Sequence, residues 1–240
     1  MQPRKSAGVR GPAAELETAD VELSLRNIFW VQHFPTMAVL PHMRGRKAGR
    51  IVNVTSFGGK FPTPHQAAYA AGKFAATGWS EMLATELRLE GIHVSTVTPP
   101  PLRDGAPLHV HFNGRAEEEF VWFTQSLTSR LSATATERAA RTVVSAARYG
   151  DAERAVSLDC WLATRLQGVA PNLVSRALSL MARRLPAPHA AGRRSRMQLG
   201  ATVLANSNSA LVQSLGAAAG KDERRYTPDG LPHSRGLRPY

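Results

Sequence analysis

Apolar residues along this chain fall into short runs and one-sided stripes, and the alternation sets out its elements. Leu23, Ile28, Trp30, Val31, Met37 and Leu40 predict a helix from about residue 15 with a single apolar face. Pro35 should kink or split it, because the ring removes a backbone donor and clashes with the preceding turn. After a basic turn at 44–50, the β-branched run at 51–55 is short enough for a buried strand. Ala67, Ala68, Ala75, Ala76, Met82, Leu83 and Leu87 predict a helix over 66–90, with Gly91 placed to end it. A second strand over 92–97 stops at Pro99-Pro100-Pro101.

Residues 102–114 read as a loop. A short helix carrying Phe120, Val121, Trp122 and Phe123 follows over 116–127, then an amphipathic helix over 136–149 that stops at Gly150. A last strand is expected at 155–158 and a helix over 172–185, ending at Pro186. Residues 1–12 read as loop. Beyond 186, Ala, Gly, Arg, Ser and Pro dominate and only 199–215 suggests a helix, so 186–240 is expected to be a basic tail of low order. Strands alternating with helices argue for a mostly parallel sheet with helices on its faces, an α/β fold. Ligands in such sheets bind beyond the C-terminal ends of the strands, where Ser56 and Pro99 stand.

At 240 residues, 43% hydrophobic and 20% charged, the chain can build one domain with an appendage. It has no apolar run of about 18 residues and no apolar leader at its start, so a cytoplasmic protein is expected. The single Cys160 excludes an internal disulfide and a multi-cysteine zinc site, and reads as a small buried residue. His109 and His111 lack a third ligand and read as loop, so no metal is expected. Glu117, Glu118 and Glu119 read as acids favoured by a helix N-terminus. The net charge of +12 is weighted toward C-terminal arginines. With few aromatics among them they read as a solvated extension, and neither nucleic acid nor a membrane is an expected partner. Arg176, Arg183 and Arg184 could set the helix over 172–185 on a membrane surface; a basic-rimmed packing helix is the expectation.

The candidate chemistry lies between the two central strands. Residues four apart share a helix face, so Tyr69 and Lys73 can point into one site. A nearby ammonium favours the phenolate and draws a phenol toward useful acidity. Ser56, at the strand end, could hydrogen-bond a substrate carbonyl or alcohol. Tyr-x-x-x-Lys alone is a weak signal in a chain with four tyrosines; the serine thirteen positions earlier and the proline-ended strand strengthen it.

In these residues the sequence resembles the short-chain dehydrogenase/reductase family over about 7–185. I-V-N-V-T-S (51–56) is similar to its serine-bearing strand, Y-A-A-G-K (69–73) to its Tyr-x-x-x-Lys motif, and K-S-A-G (5–8) to its Asn-Asn-Ala-Gly turn. The resemblance implies a Rossmann-type doubly wound parallel sheet and an NAD- or NADP-dependent oxidoreductase that interconverts a small-molecule alcohol and carbonyl. Tyr69 would be the general acid/base, Ser56 would polarise the substrate oxygen, and Lys73 would assist Tyr69 and hold the nicotinamide ribose. Phe120, Trp122 and Phe123 could line an apolar substrate pocket or pack in the core. A homo-oligomer is left open.

The departures are specific. The family's proton-relay asparagine aligns with Ser24, with Asn27 in place of the usual glycine. Its Pro-Gly reads Pro99-Pro100, with Pro99 expected at the cofactor, and its carboxamide-binding threonine aligns with Asp104. No Gly-x-x-x-Gly-x-Gly occurs in the chain, so the first strands and the glycine-rich turn are expected to be missing. A non-catalytic remnant of the family is the alternative. The strand at 51–55 would then have an open edge, and poor solubility is expected.

Overall fold

The computed structural model describes residues 8–128, 133–189 and 197–226. In chain order its first half contains β1 (Val9–Arg10), α1 (Thr18–Ser24), α2 (Val31–Gly45), β2 (Gly49–Val54), α3 (Ala67–Leu87) and β3 (Ile92–Thr98). Its second half contains β4 (His111–Phe112), α4 (Ala116–Thr128), α5 (Thr136–Tyr149), β5 (Glu153–Ala155), α6 (Leu158–Val169), α7 (Pro171–Ala182), β6 (Gln198–Leu199), α8 (Gly200–Asn206) and α9 (Ala210–Tyr226).

The parallel sheet forms where the apolar runs stand. β2 pairs with β3 from Gly49↔Ile92 to Val54↔Val97, and β3 pairs with β5 at Thr96↔Glu153 to Thr98↔Ala155. Alternate residues of β3 serve opposite faces. Ile92 and Val94 pack with Leu40, Ala84 and Leu87 from α2 and α3, whereas Val97 packs with Ala139, Ala146 and Val156 under α5. Helices on both faces make this the Rossmann-type α/β arrangement expected. A buried polar chain fixes α3 to the sheet: Asn53 Nδ2 donates to Ser80 Oγ at 3.0 Å, and Ser80 Oγ meets Thr96 Oγ1 at 2.7 Å. Gly91, at φ +76°, ends the short 3-10 turn after α3 and brings the chain into β3. Among the described residues β2 pairs on one side only, and Val54 is 42% exposed.

Several expectations change. Pro35 does not split its helix: α2 runs through Pro35 and Pro41, and the irregularity is a π-helical turn, Leu25–Trp30, just ahead. The donor lost at Pro35 would have served Val31, beside a turn whose hydrogen-bond ladder is already shifted. Val9 and Arg10, read as loop, form a strand parallel to β4, which lies in the second expected loop. The expected last strand ends earlier, at Ala155, and the unanticipated α6 follows.

The largest correction concerns the tail. Residues 197–226 form β6, α8 and α9, with Val203, Val212 and Ala219 buried against Phe112, Phe120 and Phe123. The Ala- and Gly-rich composition that suggested low order also lets helices approach closely. Arg193, Arg194, Arg196, Arg235 and Arg238 lie outside the described residues.

Candidate functional site

The site forms at the C-terminal end of β2, where the backbone leaves the sheet. Thr55 N and Thr55 Oγ1 both donate to Val97 O, at 2.8 and 3.2 Å, and hold the strand ends together. Phe57 N donates to Pro99 O at 2.8 Å, so the loop after Ser56 is tied to the proline that ends β3. Ser56 Oγ accepts from Gly58 N at 3.2 Å, which turns the chain into a short 3-10 helix, Phe57–Gly59.

α3 then presents Tyr69 and Lys73 from its first two turns, both half-buried. A Cβ on Gly58 would lie 3.3 Å from Tyr69 Cε1 and 3.8 Å from Ser56 Oγ, so phenol and hydroxyl converge over this glycine. Lys73 Nζ donates to Thr55 O at 2.8 Å and lies 5.8 Å from the Tyr69 ring centroid. Ser56, Tyr69, Lys73 and Pro99 are thus brought together.

Burial pushes the Lys73 ammonium below its ordinary 10.5; Tyr69 pulls it back up and Arg10 pushes it further down. In the unfolded chain Lys73 keeps its ordinary value. Between the two values the unfolded state holds a proton the folded state lacks, so stability rises with pH across that window. The cost of burying the charge is carried in full below it. The melting temperature of Lys73→Met, measured against the parent, is therefore expected to fall as pH rises through the window below 10.5. A constant difference would mean that Lys73 titrates alike in both states.

Ser24 stands against Gly72, the residue before Lys73. It is fully buried, its carbonyl oxygen would be 2.9 Å from a Cβ on Gly72, and its hydroxyl has no hydrogen-bond partner among the described residues. Asp104 turns elsewhere: Asp104 Oδ1 accepts from Ala106 N at 3.0 Å, and burial pushes its carboxyl up. Phe120 and Phe123 are core residues, while Trp122 is half-buried. A cavity of about 1080 Å³ is lined by α4, α8 and residues 184–189, but none of Ser56, Tyr69 and Lys73 lines it. Cys160 is buried, which raises its thiol pKa.

Two features had no forecast. Arg10 is 4% exposed, with its guanidinium carbon 3.8 Å from the Tyr69 ring centroid and 5.0 Å from that of Phe123. Its Nε has no hydrogen-bond partner among the described residues, and burial pushes the guanidinium down to about 10. A lone Val-Arg pair between glycines carries no signal of this; pairing with β4 puts it there. Glu119 is fully buried, and its Oε1 meets His65 Nδ1 at 2.6 Å. Unlike Glu117 and Glu118 it is not a solvated helix-start acid. Its place one turn before Phe123, on the apolar face of α4, was the available sign.

The family model described as short chain dehydrogenase matches residues 5–107, a shorter stretch than the 7–185 expected. The uncharacterized oxidoreductase YbbO of Escherichia coli is 41% identical over 96 residues, 40% of this chain and 36% of that protein. SadH of Mycobacterium tuberculosis is 30% identical over 163 residues, 66% of this chain and 58% of that protein. The chain therefore spans between about a third and three fifths of these relatives' length. A short-chain dehydrogenase structure from Streptomyces avermitilis superposes with a TM-score of 0.58 at 23% identity, over 73% of this chain and 66% of that one, a likeness of fold. Residues 5–107 match the short chain dehydrogenase model and the parallel sheet that carries them has that fold, so the findings support a member of the short-chain dehydrogenase/reductase family.

Proposed function

We propose that the chain is an oxidoreductase that interconverts an alcohol and a carbonyl with NAD or NADP, Tyr69 being the general acid/base. The convergence of Tyr69, Ser56 and Lys73 at one strand end carries this reading. Ser56 Oγ accepts from Gly58 N, which leaves the hydroxyl hydrogen for a substrate oxygen. Lys73 uses one of its three N–H donors on Thr55 O, and the others suit ribose hydroxyls. The half-buried cation suits the nicotinamide end of such a cofactor.

A bound nicotinamide supplies or accepts the hydride. In the reducing direction Tyr69 gives its phenolic proton to the substrate oxygen while Ser56 donates a hydrogen bond to the same atom. The Lys73 ammonium favours the phenolate that remains. The partnerless Ser24 hydroxyl could hold a water that restores the proton, reaching less far than an asparagine would.

The Arg10 guanidinium against the Tyr69 ring favours a second reading, in which the chain is a non-catalytic family member whose Tyr69 face is already covered. Calorimetric titration with NADH and with NADPH separates the two. Binding of either cofactor by the parent chain is expected, and silence with both at millimolar concentration would rule out the enzyme reading for this polypeptide.

A further inference from the structure

The corner formed by α6 and α7 exposes apolar side chains that no other described residue covers. Its inward positions are Cys160 and Val174, both buried. Opposite Cys160, Leu158, Leu162, Leu166 and Val169 follow one another at four-, four- and three-residue intervals and form one exposed stripe, with Leu158 at 70% and Val169 at 86%. Past the corner at Ala170, Leu173, which is 62% exposed, and Leu180 are exposed on α7 as well. The expected basic-rimmed packing helix therefore packs through a narrow face and turns Leu173 and Leu180 outward.

The charges around this stripe are one-sided. Residues 158–185 contain Arg165, Arg176, Arg183 and Arg184 against the single acid Asp159. All four arginines are exposed. Arg165 lies 5.6 Å from the Trp161 ring and bonds Glu153 at 3.2 Å, so its stem covers apolar surface while its head stays polar.

A second copy of the chain fits this surface poorly, because a two-fold contact would bring the arginines of both copies together with little acid to offset them. An acidic bilayer meets both requirements, with lipid for the leucines and headgroup charge for the arginines. We propose that the α6–α7 corner docks on an anionic lipid bilayer, the leucine stripe entering the interface and Arg176, Arg183 and Arg184 contacting the headgroups. This inference is independent of the oxidoreductase reading.

Flotation of the full chain with vesicles tests it, using roughly 70:30 phosphatidylcholine to phosphatidylserine against pure phosphatidylcholine at about 100 mM salt. The chain is expected to float with the acidic vesicles and to partition at least about tenfold less onto the neutral ones. The double substitution Leu166→Glu with Val169→Glu should weaken partitioning at least about tenfold. Val169→Glu alone, at the most exposed position, should weaken it with the melting temperature unchanged, which separates loss of docking from loss of folding. Arg176→Gln with Arg183→Gln should remove the preference for acidic vesicles. Absence of flotation overturns the proposal. So does flotation that survives the glutamates, since basic segments elsewhere would then carry it. Self-association abolished by the same glutamates, without flotation, would assign the surface to a second copy.

Discussion

Tyr69→Phe is expected to lower turnover by about a hundred- to ten-thousand-fold while changing cofactor affinity by less than about twofold. Phenylalanine keeps the ring that Arg10 covers at 3.8 Å and that lies against Gly8 and Gly58. The proton donor and its hydrogen bond with Arg10 are lost while the ring stays, so the fold and the Lys73 bond to Thr55 O should persist. Steady-state rates with a panel of small carbonyl substrates, paired with cofactor titration, measure the two effects separately. Near-parental turnover would move the proton-transfer role to another group. A parallel collapse of cofactor affinity would instead make Tyr69 a binding residue.

Gly72→Val should cost about 3 kcal/mol of stability or more, a large fraction of what a domain of this kind holds. Gly72 lies where α3 crosses the α1 segment at backbone contact distance. A Cβ there would meet Ser24 O at 2.9 Å and the Ile28 side chain at 3.1 Å, and the carbonyl cannot rotate aside as a side chain could. The helix preference of valine over glycine is a few tenths of a kcal/mol and does not offset that. Denaturant melts of parent and variant check this, and an unchanged midpoint would mean that α1 shifts freely. Because Lys73 follows Gly72, surviving protein should also show disturbed cofactor binding.

The central unit was legible because its signals are local. A β-branched run, a long alanine-rich helix and a glycine at positive φ each depend on neighbouring residues, and β2, α3 and β3 formed where these stand. The tail misled for the same reason: Val203, Val212 and Ala219 are too sparse to read as a core face until Phe120 and Phe123 pack against them. Leu158, Leu162 and Leu166 lie in a helix that was not anticipated, and only the structure shows that nothing among the described residues covers them.

By itself the sequence determined the strand–helix–strand unit, the family resemblance and the shared helix face of Tyr69 and Lys73, all set by short-range spacing. Tertiary structure decided the rest. It drew Ser56 and Tyr69 together over Gly58, tied Lys73 to the Thr55 carbonyl, buried Arg10 on the Tyr69 ring and turned Glu119 inward to His65. Each of these contacts joins separate elements, and no periodicity within one element encodes where another will lie.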